Sequence, residues 1–163
     1  MLVGIDLSTK EITIARLYHD NSFNIDICKA DGKNWQLRYP VLYFQFSEIL
    51  SKFVEPVQAA FIEDPPFVQN RQSFSKLTKV ACICELAFMS FHITYFSVNN
   101  KVWKKELIGK GSASKEMIKN FAEMIWGDKI KSLSQDAIDA LCLACYGYIQ
   151  LNYQKSNELQ VLY

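Results

Sequence analysis

The sequence predicts a mixed α/β fold with five strands, the first three antiparallel, flanked by helices. Three observations predict it. β-branched and aromatic residues alternate with polar ones through the first thirty positions, the signature of half-buried strands. Beyond residue 40, stretches with apolar residues at helical spacing are interleaved with two further short apolar runs. From Ser114 to about Tyr153 the chain reads as two helices.

Taken in order, Leu2 to Leu7, Ile12 to Tyr18 and Phe23 to Cys28 are expected as strands, separated by polar turns at Ser8 to Glu11 and His19 to Ser22. After the Asp31, Gly32 turn and Pro40, residues Leu42, Phe46, Ile49, Leu50 and Phe53 predict a helix over Val41 to Phe53. That helix crosses to a fourth strand, Gln58 to Glu63, stopped by Pro65 and Pro66. Phe74, Leu77, Val80, Ala81, Cys84, Leu86, Ala87 and Phe88 place a long helix, buried on one side, from Gln72 to about Phe91, and Ile93 to Val98 reads as the fifth strand. Ser114 to Trp126 and Ser134 to about Tyr153 close the chain as two helices, each opened by a serine suited to capping. Residues 1–153 are thus expected as a single compact domain, with 154–163 a loose polar tail.

Composition narrows the class. The chain has 163 residues, half of them hydrophobic, enough for one domain with a substantial core and not comfortably two. Eighteen basic and seventeen acidic side chains leave a formal charge of +1, so attraction to a polyanion has to be local. Five cysteines, at 28, 82, 84, 142 and 145, read as buried thiols; Cys142 and Cys145 sit mid-helix without a second ligand pair, which argues against zinc. Neither a leader segment nor an apolar run of roughly 18 residues is seen, so a soluble, intracellular protein in a reducing compartment is expected.

Four carboxylates stand out against this background. Asp6 ends the run Leu2, Val3, Gly4, Ile5; Glu63 ends Ala59, Ala60, Phe61, Ile62; Asp136 and Asp139 open a helix that continues Ala140, Leu141, Cys142. Singly, each is well explained as a surface acid, and Asp136 as a helix N-terminal charge. Asp6 and Asp139, however, interrupt apolar surfaces where an unpaired charge is costly. Strand neighbours and a shared helix face would bring the four together. Carboxylates held close repel unless a cation lies between them, and hard oxygen donors suit Mg²⁺ or Mn²⁺. Two such ions, about 3.5–4 Å apart, can activate water and stabilise a leaving oxygen in phosphodiester cleavage.

The ordered set Gly4, Ile5, Asp6, then Ile62, Glu63, then Ile108 to Lys115, then Asp136, Ala137, Ile138, Asp139, Ala140 resembles the RuvC-type Holliday junction resolvases, whose domain has the ribonuclease H fold. The resemblance spans roughly Met1 to Tyr148. It implies that Asp6, Glu63, Asp136 and Asp139 bind two Mg²⁺ ions, with Mn²⁺ able to substitute, and that Lys104 and Lys115 approach the cleaved phosphate. It further implies a homodimer that nicks two symmetry-related strands of a four-way DNA junction and leaves ligatable 5′-phosphate ends. Apolar residues of the long helix (Phe74, Leu77, Val80, Phe88) would then serve either the dimer contact or the core. The small size suits a phage or viral member.

Two segments bear on DNA contact. Between Lys101 and Lys119 stand six lysines (101, 104, 105, 110, 115, 119) against Glu106 and Glu116, a basic patch hidden by the whole-chain balance; Lys104, Lys105, Lys110 and Lys115 are expected on phosphates. A solvated loop and helix face would carry lysines equally well. Gly109 and Gly111 suit a tight turn or a close backbone approach. After Glu63, the resemblance places Phe67 against an unpaired base, with Asn70, Arg71, Ser73 and Lys76 on sugar and phosphate. The double proline shifts the aromatic by one position relative to the family pattern, and Phe67 serves equally as a cap on the core.

Two other classes compete. Gly4, Ile5, Asp6, Leu7, Ser8, Thr9 also resembles the first phosphate loop of sugar kinases and actin-like proteins, but six glycines are too few for the further loops those proteins need. A non-catalytic junction-binding protein would be expected to lack at least one of the four acids. Within the nuclease class, forks and flaps are alternative substrates, because the acids define the chemistry and not the DNA structure.

Overall fold

The structure, a computed structural model, describes residues 1–65 and 70–160, with side chains described to residue 152. Eleven elements follow in the order β1 (Leu2–Leu7), β2 (Glu11–Leu17), β3 (Phe23–Lys29), α1 (Trp35–Ser51), β4 (Ala59–Glu63), α2 (Arg71–Ser90), β5 (Tyr95–Val98), α3 (Asn100–Ile108), α4 (Lys115–Trp126), a 3₁₀ turn (Gly127–Ile130) and α5 (Gln135–Gln160). The strands form one sheet in the order β3-β2-β1-β4-β5. The first three are antiparallel, and β4 and β5 run parallel to β1. This is the five-stranded mixed sheet flanked by helices that the sequence predicts.

Period-two alternation gives the central strands two different faces. Val3 and Ile5 of β1 and Ala60 and Ile62 of β4 enter a core shared with α1 and α2, built on Leu42, Phe46, Val80, Cys84 and Phe88. Their neighbours Leu2, Ala59 and Phe61 enter a second core with α3, α4 and α5, which includes Trp103, Ile118, Trp126, Ile138 and Leu141. The helix α5 lies directly on this second face. A Cβ on Gly4 would stand 1.9 Å from the carbonyl oxygen of Ala140, and one on Gly147 would stand 2.1 Å from the Phe61 ring. Only glycine lets the two backbones approach so closely.

Several boundaries differ from expectation. The first helix begins at Trp35, six residues before its predicted start, and runs through Pro40. The Asn34 side chain caps it, accepting from the Gln36 N–H at 3.0 Å. Buried Arg38, Leu42, Phe46 and Leu50 along one face outweigh the single backbone hydrogen bond that Pro40 removes. The helix α3 was not predicted at all: it is nine residues long, strongly basic, and anchored by one fully buried side chain, Trp103. The last helix extends to Gln160, past Tyr153.

The thiols also need correction, since Cys82 is exposed and Cys145 only partly covered, while Cys28, Cys84 and Cys142 are buried. Residues two apart share a face in a strand but point to nearly opposite sides of a helix, so Cys82 and Cys84 of α2 cannot both face the core. Among the described residues no helix is long and apolar enough to cross a membrane.

Candidate functional site

The parallel register of β1 and β4 pairs Gly4 with Phe61 and Ile5 with Ile62; one step further come Asp6 and Glu63, on the α5 face at the carboxyl ends of both strands. Because Gly4 seats α5 tightly on β1, the first turns of that helix bring Asp136 and Asp139 to the same end of the sheet. All four carboxylates therefore act on one another. Asp6 is pushed up to about 8, first by burial and then by the charges of Glu63, Asp139 and Asp136, against a lowering backbone hydrogen bond at Leu7. Asp139 is raised to about 6 by burial, offset by a hydrogen bond from Gln135 and by the nearby Lys104 ammonium, with Glu63 and Asp136 raising it further.

Two of the acids, Glu63 and Asp139, are held by side-chain donors. The Gln135 amide donates to Asp139 Oδ1 at 2.7 Å. Asn100 Nδ2 donates to Glu63 Oε1, and the Trp103 indole N–H donates to Glu63 Oε2 at 3.1 Å. On the neighbouring strand, Thr13 lies opposite Asp6 and donates to Glu11, which pairs with Lys29 at 2.9 Å. The proton on Lys29 is held more tightly by Glu11, with further contributions from Asp31 and Asp136. None of Asn100, Trp103, Gln135, Glu11 or Lys29 stood out in the sequence. Asn100 and Trp103 lie on the unpredicted helix α3, which is why no spacing pointed to them.

The donor set is chemically suited to a hard divalent cation, being all carboxylate, and the repulsion that raises Asp6 and Asp139 is what such a cation relieves. As the rotamers stand, no group of three or more His, Cys, Asp or Glu side chains among the described residues is assembled to hold a metal ion. Glu63 is hydrogen-bonded to Asn100 and Trp103, and Asp139 to Gln135.

The basic residues divide. Lys104 is half-buried, sits 5.2 Å from the centre of the Trp103 ring, and lies close enough to Asp139 to lower its proton affinity. Lys115 opens α4 behind its cap Ser114 and is exposed, as are Lys105 and Lys110. No hydrogen bond or ion pair ties Lys115 to the acids among the described residues. Gly109 ends α3 in a left-handed conformation, φ +83°, and turns the chain towards α4. After β4, Phe67 lies outside the described residues. Asn70 caps α2, its side-chain oxygen accepting from the Gln72 and Ser73 N–H groups. Arg71 and Lys76 line a cleft of about 360 Å³ with Trp35, Gln72, Ser75 and Lys79, and Ser73 is exposed beside it.

A central mixed sheet in this strand order, with acids at the carboxyl ends of β1 and β4 and on a helix packed across them, defines a ribonuclease H-like nuclease fold. Residues 16–146 match the family described as Crossover junction endodeoxyribonuclease RuvC. The RuvC of Wigglesworthia glossinidia brevipalpis is 32% identical over 136 residues, 83% of this chain and 81% of the relative. Among solved structures, Thermus thermophilus RuvC superposes with a TM-score of 0.75 at 17% identity, covering 94% of this chain and 96% of that one. The T. thermophilus RuvC in complex with Holliday junction substrate gives 0.74 at 18%, covering 89% and 90%. The chain belongs to the RuvC family of crossover junction endodeoxyribonucleases.

Proposed function

We propose that this protein resolves Holliday junctions: acting as a homodimer in the cell interior, it nicks two symmetry-related strands of a four-way DNA junction by divalent-metal-dependent phosphodiester hydrolysis. The observation that carries the reading is the gathering of Asp6, Glu63, Asp136 and Asp139 at one end of the sheet, in a chain whose family is that of crossover junction endodeoxyribonucleases. Mg²⁺, two ions per site with Mn²⁺ as a substitute, would be held by these four carboxylates and would supply activated water and stabilisation of the leaving oxygen.

The chain's own residues do the rest. Burial keeps the Asp6 carboxylate in a low-dielectric setting where a cation is strongly favoured over solvent. Lys104, beside Asp139, offsets negative charge and can contact the phosphate next to the cut, and Lys115 reaches the same strand from the exposed start of α4. Arg71, Ser73 and Lys76, at the start of α2, together with Lys105 and Lys110, hold the arms of the junction through phosphate and sugar. Phe67 and Asn70 complete the contact at the crossover.

For the dimer, the structure redirects the expected residues. Val80 and Phe88 are fully buried in the core, and Phe74 and Leu77 are half-buried. The exposed side of α2 instead presents Met89, 61% exposed, and Leu86, which was expected on the buried side but is 57% exposed, two turns and one turn beyond Cys82. Apolar side chains repeated along one helix face support α2 as the subunit contact.

The test is cleavage of an end-labelled four-way junction in Mg²⁺ or Mn²⁺, beside linear duplex, a fork and the Asp6→Asn protein. Paired nicks at symmetric positions, lost in Asp6→Asn, are expected. Equal cutting of forks and flaps would make the protein a general branched-DNA nuclease, and binding without cutting in either metal would leave a junction-binding protein.

A further inference from the structure

We infer that Asn100 and Trp103 are positioning residues that clamp Glu63 into one orientation and thereby set the affinity of the acidic cluster for its divalent cation. The inference rests on the proposed metal-dependent site and deepens it. The two residues lie one turn apart on α3, so their side chains leave the helix on the same face. Each engages a different oxygen of the same carboxylate: Asn100 Nδ2 donates to Oε1 and the Trp103 indole N–H donates to Oε2 at 3.1 Å.

Two donors on two oxygens fix both the position and the plane of a carboxylate. A carboxylate offers about four lone-pair positions, so each Glu63 oxygen keeps one free for a cation after accepting one hydrogen bond. Outer partners of this kind orient metal-binding carboxylates and typically change metal affinity by about 10- to 100-fold when removed. The clamp is itself held firmly. Trp103 is fully buried in the core beneath α5, and a buried indole N–H needs an acceptor, which Glu63 provides at the end of β4. Asn100 follows Asn99, whose side chain caps the helix by accepting from the Lys101 N–H at 2.9 Å. Asn100 is therefore free of the capping role and can turn its amide to Glu63. Lys104 follows Trp103 directly, stands over its ring at 5.2 Å and lies near Asp139, so one short helix supports two of the four acids.

The experiment has two readouts. The first is calorimetric titration of Mn²⁺ into the wild-type protein and into Asp6→Asn, Asn100→Ala and Trp103→Phe. Asn100→Ala removes a donor without touching the core, whereas Trp103→Phe keeps an aromatic ring and loses the N–H. The second is the indole N–H region of the metal-free ¹H–¹⁵N spectrum, where three tryptophans give three signals. Trp126, whose N–H donates to Asn21 Oδ1 at 3.1 Å, is an internal control. In metal-free protein, Glu63→Gln should move the Trp103 signal and leave that of Trp126 in place. Asn100→Ala and Trp103→Phe should each weaken Mn²⁺ binding by about 10- to 100-fold. Wild-type affinity in both Asn100→Ala and Trp103→Phe, or a Trp103 signal indifferent to Glu63→Gln, would overturn the clamp. Absence of Mn²⁺ binding by the wild-type protein itself would overturn the metal-dependent reading on which the clamp rests, and that result is distinguishable because the indole signal reports the clamp without metal.

Discussion

The two faces of the sheet are made by the same strands and each carries an apolar core, but only one of them also holds the acids. Towards α1 and α2, residues Val3, Ile5, Ala60 and Ile62 meet Leu42, Phe46, Cys84 and Phe88 in a core of ordinary aliphatic and aromatic side chains. Towards α5, the alternate residues are Gly4, Asp6, Phe61 and Glu63, and the helix facing them presents Ala140 and Ala144 against Gly4. One face fills space, while the other gives up side-chain volume so that a helix carrying two acids can lie against strands carrying two more. The lesson is that stability and chemistry are divided between the sheet's faces by the two-residue period of a strand.

The sharpest way to break the comparison is Asp6→Asn. Cleavage should fall on the order of 10²–10³-fold, the scale of losing one charge-stabilising group in an active site, as measured by initial rates on the four-way junction. The same variant should have the opposite effect on stability without metal. Asp6 binds its proton more tightly folded, where burial and the neighbouring carboxylates push it up to about 8, than it does unfolded. The contribution of that proton is present in full below the unfolded value and is lost as pH rises through about 8. The metal-free wild type should therefore lose Tm steadily between pH 5 and pH 8, and Asp6→Asn, which cannot ionise, should lose less. Melting curves in a chelator across that range check the sign, and Mg²⁺ should restore the wild type alone.

Next in size is Gly4→Ala. The added methyl would meet the Ala140 carbonyl oxygen at 1.9 Å, so α5 has to move, and over-packing of this kind costs about 1–3 kcal/mol. Because α5 carries Asp136 and Asp139, cleavage should drop as well at temperatures where the variant is folded. On the opposite face, Ile62→Val should cost about 0.5–1.5 kcal/mol in urea unfolding and leave cleavage unchanged. A Gly4→Ala protein with full activity would separate the close packing from the chemistry. The smallest effect is expected at the thiols: Cys82→Ser should shift stability by no more than about 0.5 kcal/mol. In the native protein Cys82 should be the first thiol to react with a disulfide reagent, since burial pushes Cys28 up to about 12 and covers Cys84 and Cys142.

Much of this division was legible in the sequence. Alternation in Leu2 to Leu7 and Ala59 to Glu63 places the acids of both strands at their carboxyl ends, and the three-residue spacing of Asp136 and Asp139 puts both near one helix face. What escaped was the support around them. α3 has one buried anchor, Trp103, amid lysines, so its apolar period is too weak to read, and with it went Asn100 and Trp103 as partners of Glu63. Pro40 hid the start of α1 because local propensity argued against a helix that tertiary burial of Leu42, Phe46 and Leu50 sustains. Cys82 was misplaced because all five thiols read as buried, whereas Cys82 and Cys84, two apart on a helix, face opposite ways. The role of Gly4 becomes visible only when the helix that crosses it is in place.

The most direct measurement is an anomalous difference map from crystals of the protein soaked in Mn²⁺. Density between Asp6, Glu63, Asp136 and Asp139, absent from Asp6→Asn crystals treated the same way, is predicted. Manganese bound elsewhere, with Glu63 still turned to Asn100 and Trp103 and Asp139 to Gln135, would contradict the assignment of this face of the sheet to metal-dependent cleavage.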